Sequence, residues 1–309
     1  MLFSSKDLLG LKDLPVQDIK LILDTAVNMK LVLSSGNKKT SHLQGKSVIT
    51  LFYENSTRTR LSFEMASKFM GASSANISSS GSSINKGETL LDTARTIDAM
   101  ATDILIMRHP QSGAPHLIAP RINASVINAG DGMNEHPTQA LLDMFTIIDR
   151  KKSLEGLKVA IVGDVYHSRV VRSNIWGMQK MGAEIFIAGP GTMMPKDIGL
   201  TGATICGSVE QACEGADVIM ALRVQLERQK SSLFPSVGEY AAFYSVNEKM
   251  LSLAKADVLI LHPGPCNHGV EMPSIVYDSP QSVINEQVTN GVAVRMAVLY
   301  LLSSRRNVL

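Results

Sequence analysis

Cysteine is scarce in this chain: three among 309 residues, Cys206, Cys213 and Cys266, with no CxxC pair. An odd, scattered set excludes a disulfide framework and lacks the spacing of a structural zinc site, so reduced thiols are expected. No run approaches the ~20 apolar residues of a membrane-spanning helix. The opening MLFSSKDLLG carries Lys6 and Asp7 where a secretory signal needs an apolar stretch. The expectation is a cytoplasmic protein with no membrane partner. Charge of one sign is also in short supply. Thirty Lys and Arg against 28 Asp and Glu leave +2, too little to draw in nucleic acid by bulk attraction. The glycine-rich phosphate loops are missing too. LKVAIVGDVYHSRVVRS has the strand, turn and helix of a dinucleotide site, but only Gly163 of its glycines is present, with Val165 and Ser168 in the other two places. GSSINKG, around Lys86, is not GxxxxGK[ST]. A nucleotide cofactor is therefore not expected.

Hydrophobic residues make up 45% and charged ones 19%, the balance of a globular chain long enough for about two domains. Apolar β-branched runs alternate with segments of helical period: KSVITLFYE then LSFEMASKFMG, ATDILIMR, ASVINAG then PTQALLDMFTIID, LKVAIVGD then VVRSNIWGMQKMG, AEIFIAGP, ADVIMALR and ADVLILHPGP. This alternation predicts an α/β fold of two domains, each a parallel sheet flanked by helices. The polar DRKKSLEG at 149–156 reads as the boundary. The last segment, with Val288, Val292, Met296 and Leu299 at helical spacing, has no strand after it and is expected to pack back on the first domain. Residues 73–86, SSANISSSGSSINK, read as a flexible linker or a mobile binding loop.

In open α/β sheets ligands bind beyond the carboxyl ends of the strands, and here those positions are cationic. Ser56-Thr57-Arg58-Thr59-Arg60 follow the first strand, Arg108-His109-Pro110 another, Arg169 and Arg172 lie beyond VGD, and Arg223 and Arg228 beyond MAL. Arginines at four strand ends of a nearly neutral protein equip it for a ligand with several negative charges. In NSTRTR, between a strand and a helix, free backbone N–H groups, hydroxyls and the Arg58 guanidinium form a phosphate cradle. His136 precedes Pro137 at a helix mouth, where the dipole favours the neutral imidazole, suited to donating a hydrogen bond to a carbonyl. Gln139, on the first turn, reaches the same ligand. His262, Cys266 and His268 lack a fourth residue at zinc spacing, and a turn explains HPGP, so no metal is expected.

STRTR at 56–60, SxxxKGET at 82–89, HPTQ at 136–139, RVQ at 223–225 and HPGP at 262–265 occur in this order over nearly the whole chain. In these motifs the sequence resembles the aspartate/ornithine carbamoyltransferase family, and within it the aspartate branch. The ornithine branch usually has a cysteine where this chain has His262, and has no use for arginines aimed at a side-chain carboxylate. Many relatives carry a larger residue at Gly264 and an arginine in the loop held here by Cys266, Asn267 and His268.

The resemblance implies a carbamoyl-phosphate-binding domain at residues 1–149 with the C-terminal helix at 286–309, and an L-aspartate-binding domain at 150–285. It implies transfer of the carbamoyl group of carbamoyl phosphate to the amine of L-aspartate, an early step of pyrimidine synthesis, without cofactor or metal. Carried over by position, Ser56, Thr57, Arg58 and Thr59 hold the phosphate. Thr59, Arg108 and His136 contact the carbamoyl oxygen, Gln139 its amide, and the backbone of Pro263, Gly264 and Pro265 lies beside it. Lys86, Arg169, Arg223 and Gln225 grip aspartate, and Glu54 meets Arg169 and Arg228 on domain closure. Ser82 and Lys86 come from the neighbouring subunit of a homotrimer, and a separate regulatory chain is a further partner in some relatives. Against this stand transfer to ornithine, a catalytically silent subunit, which has no physical need for Arg108, His136 and Lys86, and a dinucleotide oxidoreductase, which the missing glycines disfavour.

Overall fold

A computed structural model describes residues 3–78, 87–225 and 236–306 of the chain. It divides into two compact units, Met1–Leu142 with Thr289–Leu309, and Asp143–Val288. The sequence reading draws its borders at 149/150 and 285/286. In the structure both borders fall inside helices, α5 (Pro137–Lys151) and α11 (Ile284–Arg306).

The first unit is built on a parallel sheet of β1 (Ser47–Phe52), β2 (Ser73–Ser78), β3 (Ile104–His109) and β4 (Ser125–Asp131), in the order β2-β1-β3-β4. Around it run α1 (Val16–Ser34), α2 (Thr57–Phe69), α3 (Leu90–Ala99) and the short α4 (Ala114–Ile118). Every residue of β4 is buried, and Ile104 to Met107 of β3 are wholly buried, the pattern of strands covered on both faces. The last helix returns to this unit: Arg295 of α11 donates to Ser62 Oγ at 3.0 Å and lies over the Phe63 ring at 5.1 Å, both in α2.

Residues 73–78 of the serine-rich segment are neither linker nor loop but the edge strand β2, paired from Ser73↔Ser47 to Ser78↔Phe52. Serine has no strong β preference, so the backbone ladder and the Thr50–Asn76 side-chain contact hold a strand that the composition conceals.

The second unit repeats the plan with β5 (Lys158–Val162), β6 (Glu184–Ala188), β7 (Thr204–Ile205), β8 (Val218–Ala221) and β9 (Leu259–Leu261), all parallel in the order β7-β6-β5-β8-β9. Its helices are α6 (Arg169–Lys180), α7 (Val209–Cys213), α8 (Val237–Tyr244), α9 (Glu248–Leu253) and α10 (Ser274–Tyr277). Ala160, Val162, Ile219, Ala221 and Ile260 pack with Val209, Cys213 and Met250 into one apolar core. Each sheet reverses direction once. The chain leaves β1 toward β2 and returns to β3, and leaves β5 toward β6 and returns to β8. Loops beyond the carboxyl ends part at such a point, which opens a crevice for ligands. No helix among the described residues is long and apolar enough to cross a membrane.

Candidate active site

At the β1/β3 reversal of the first unit, Phe52 is in register with Arg108, and Tyr53 N donates to Arg108 O at 2.9 Å. This sets Glu54, one residue further on, beside the arginine: Arg108 Nη2 donates to Glu54 Oε1 at 2.9 Å while Nη1 donates to Ala129 O at 3.3 Å. Four residues after β1, Ser56 caps α2 by accepting from Thr59 N at 3.4 Å. Thr57 and Arg58 are exposed on the first turn and Thr59 is buried. The exposed first turn of a thirteen-residue helix with an arginine on it is a ready anion seat.

His136 enters from β4, and the loop that carries it is built on one carboxylate. Asp131, wholly buried, accepts from Asn128 Nδ2 at 2.8 Å and Glu135 N at 3.1 Å through Oδ1, and from Gly113 N at 2.7 Å and Asn134 Nδ2 at 3.0 Å through Oδ2. Gly132 turns at φ +50, where a Cβ would lie 2.5 Å from Ser112 Oγ and 2.6 Å from Ser112 N. The loop delivers a buried His136 whose carbonyl accepts from Gln139 N at 3.0 Å, and Gln139 sits half-buried on the first turn of α5. Nearby His109 Nδ1 accepts from Gln111 N at 3.0 Å; burial lowers its pKa, outweighing Asp131 and Glu54.

In the second unit the β5/β8 reversal holds the other arginines. Val162 is in register with Ala221, and Leu222 N donates to Val162 O at 2.8 Å, so the segments that lead to Arg169 and Arg223 leave neighbouring strands. Gly163, the lone glycine of the would-be dinucleotide turn, has φ +125, and a Cβ there would lie 2.8 Å from the Tyr240 hydroxyl. Close packing of a buried tyrosine explains it without a pyrophosphate. Asp164, wholly buried, receives His167 Nδ1 at 3.0 Å on each oxygen and His167 N at 3.2 Å. This closes the turn before Arg169, the first residue of α6, which is 3% exposed. Arg172 is held below the usual arginine range by burial.

The HPGP turn hangs on His262. Its N–H donates to Gln287 Oε1 at 3.0 Å, Gln287 Nε2 donates to Asp143 Oδ1 at 2.7 Å, and its ring Nδ1 accepts from Gly264 N at 2.8 Å. His268 does not join this group; it is exposed and packs on the Tyr277 ring at 4.7 Å. Glu271, absent from the sequence reading, takes its place beside His262 and Cys266. Burial, with Glu271 close by, pushes the Cys266 thiol up to about 12.

Ser56, Thr57, Arg58, Thr59, Arg108, His136 and Gln139 thus belong to one unit, and Arg169, Arg223, Gln225, Pro263, Gly264 and Pro265 to the other. Ser82, Lys86 and Arg228 lie outside the described residues. Glu54, expected to meet Arg169 and Arg228, pairs here with Arg108. Asp131, Asp164, Glu135 and Glu271 went unread as site residues. Glu135 Oε2 accepts from Leu11 N at 2.7 Å, a contact across the sequence that no local pattern displays.

Residues 6–149 match the family model described as aspartate/ornithine carbamoyltransferase, carbamoyl-P binding domain, and residues 155–302 match its Asp/Orn binding domain. A protein of Acetivibrio thermocellus named aspartate carbamoyltransferase catalytic subunit is 66% identical over 305 residues, 99% of this chain and 98% of the relative. The aspartate transcarbamoylase of Trypanosoma cruzi, solved with carbamoyl phosphate and aspartate, has TM-score 0.86 at 31% identity, covering 96% of this chain and 97% of that one. The ornithine carbamoyltransferase of Pyrococcus furiosus has TM-score 0.87 at 29% identity, covering 97% and 98%.

Proposed function

The chain belongs to the aspartate/ornithine carbamoyltransferase family, and from that premise we propose that it transfers the carbamoyl group of carbamoyl phosphate to the amine of L-aspartate, an early step of pyrimidine synthesis. The fold alone serves both branches, since an ornithine enzyme superposes as well as an aspartate enzyme. The observation that carries the choice is the pair Arg169 and Arg223 at the β5/β8 reversal. Two guanidiniums match two carboxylates and repel the side-chain ammonium of ornithine.

In this reading the first turn of α2 takes the phosphate, with Ser56, Thr57, Arg58 and Thr59 as donors. The aspartate amine attacks the carbamoyl carbon, a C–N bond forms, the C–O bond to phosphate breaks, and the departing phosphate takes the amine proton. No protein nucleophile is needed. Charge gathers on the carbamoyl oxygen, where Thr59, Arg108 and His136 are the donors, each worth about 3–4 kcal/mol in a dry site. Gln139 and the backbone of Pro263, Gly264 and Pro265 orient the carbamoyl group. Carbamoyl phosphate and aspartate bring about four negative charges together. Arg58, Arg108, Arg169, Arg223 and Lys86 supply the opposing cations, and Glu54 offsets part of Arg108 until substrate arrives.

A homotrimer in which Ser82 and Lys86 serve a neighbouring chain's site is the assembly the resemblance supports. Three free cysteines fit a reducing compartment, hence the cytoplasm. The test is a comparison of acceptors: the purified chain with carbamoyl phosphate is expected to give N-carbamoyl-L-aspartate with L-aspartate and no citrulline with L-ornithine. Product with ornithine alone overturns the assignment of Arg169, Arg223 and Gln225.

A further inference from the structure

Glu271 is a buried carboxylate to which the proposed chemistry gives no task. It is 1% exposed, and burial raises its pKa, so the fold offsets the desolvation with donors. Oε1 accepts from Val224 N at 2.8 Å and from Asn267 Nδ2 at 2.6 Å. Oε2 accepts from Asn267 N at 2.6 Å, with the Cys266 thiol at 3.7 Å. Asn267 Nδ2 also donates to Val224 O at 3.4 Å, so both polar groups of Val224 are held by one pair of side chains.

Val224 stands between Arg223 and Gln225. Fixing its N–H and its C=O fixes the backbone on either side, and with it the direction in which the two flanking side chains depart. Asn267 lies two residues past Pro265, so the same carboxylate anchors the loop that follows HPGP. A clasp of three charge-assisted hydrogen bonds on one buried carboxylate is stiff enough to hold two loops in register.

A metal is the competing use of this cluster. His262 Nε2, Cys266 Sγ and a Glu271 oxygen lie within 4.8 Å of one another, which a thiophilic cation could span. But His262 Nδ1 accepts from Gly264 N–H, which leaves the ring proton of the neutral imidazole on Nε2, the atom a metal would need bare. Both Glu271 oxygens already accept N–H groups. The cluster is organised as a hydrogen-bond clasp.

We propose that Glu271 is a positioning residue for the amino-acid acceptor: through Val224 and Asn267 it ties the Arg223–Gln225 segment to the loop after HPGP and so sets affinity for the dicarboxylate. The inference rests on reading Arg223 and Gln225 as acceptor ligands. Glu271→Gln keeps the volume and one acceptor oxygen but turns a donor against Asn267 N–H or Val224 N–H. The experiment measures KM for aspartate, kcat and the carbamoyl phosphate Kd of the binary complex, well below the thermal midpoint of each variant.

Glu271→Gln is expected to raise KM for aspartate about tenfold or more, with kcat reduced less and the carbamoyl phosphate Kd within about twofold. Asn267→Ala, the milder change, carries the same test at about fivefold and stands in if Glu271→Gln does not fold. The double variant is expected within about twofold of Glu271→Gln alone, since both act through one link. A merely structural role would lower the amount of active enzyme and leave both substrate constants unmoved. KM for aspartate within twofold of the parent in both single variants, or an equal loss of carbamoyl phosphate affinity, overturns the proposal. Arg223→Ala run alongside separates the two failures: if it leaves KM for aspartate unchanged, the acceptor reading itself falls.

Discussion

Arg108 shows how much a single side chain in this protein is asked to do before any substrate arrives. It is the next-to-last residue of β3, its Nη1 donates to Ala129 O and its Nη2 to Glu54, and its backbone carbonyl receives Tyr53 N. A guanidinium held at both ends needs little reorganisation when charge develops next to it, which is the condition for electrostatic catalysis. Arg108→Ala is therefore expected to lower kcat about 10²–10³-fold with a small change in KM for aspartate. Glu54→Gln, which loosens the same guanidinium without removing it, is expected to cost about tenfold. Steady-state kinetics on the two variants checks both; Arg108→Ala within twofold of the parent kcat removes it from the catalytic set. The motif around Arg108 was legible because arginines at strand ends are a local signal. Its pairing with Glu54 was not, since it depends on β1 and β3 lying side by side in one register.

At the scale of elements, the loops after the strands are closed by buried carboxylates. Asp131 gathers four donors around the turn that carries His136, Asp164 gathers His167 before Arg169, and Glu271 clasps Val224. Their partners are local or far apart in the chain by turns: Asp131 meets Glu135 but also Gly113, and Glu271 meets Asn267 but also Val224. An isolated aspartate or glutamate in a loop looks solvated in sequence, so these went unread while the alternation of strand and helix around them did not. Strand β2 was hidden for the opposite reason, its serines imitating a linker. Replacing Asp131 with Asn sets an amide N–H₂ against two buried donors. Each stranded donor costs about 1–3 kcal/mol, so the thermal midpoint of Asp131→Asn is expected to fall by about 5–10 °C. Calorimetry decides it, and an unchanged midpoint would mean that the loop does not rely on this carboxylate.

For the whole molecule, the same architectural device appears twice: a parallel sheet that reverses once, with arginines at or beyond the strand ends at the reversal. In the first unit they accompany a helix N-terminus and a buried histidine, to which the proposed function gives the phosphate and the carbamoyl oxygen. In the second they follow turns pinned by Asp164 and Glu271, and the proposed function gives them the carboxylates of the acceptor. The doubling was readable from the order of apolar runs. The compact units divide at 142/143 and 288/289, inside the continuous helices α5 and α11, and the polar segment 149–156 begins in the last turn of α5.

The proposed function divides the two substrates between the two units, and one paired measurement tests that division: the carbamoyl phosphate Kd by titration calorimetry and the aspartate KM by steady-state kinetics, on Arg58→Ala and Arg223→Ala. Losing charge-assisted hydrogen bonds worth about 2 kcal/mol corresponds to about 30-fold. Arg58→Ala is expected to weaken carbamoyl phosphate by that amount. Arg223→Ala is expected to leave its Kd within twofold and raise KM for aspartate instead. If Arg223→Ala weakened carbamoyl phosphate as much as Arg58→Ala does, or if Arg58→Ala left it untouched, the assignment of the two substrates to the two sets of arginines would be wrong.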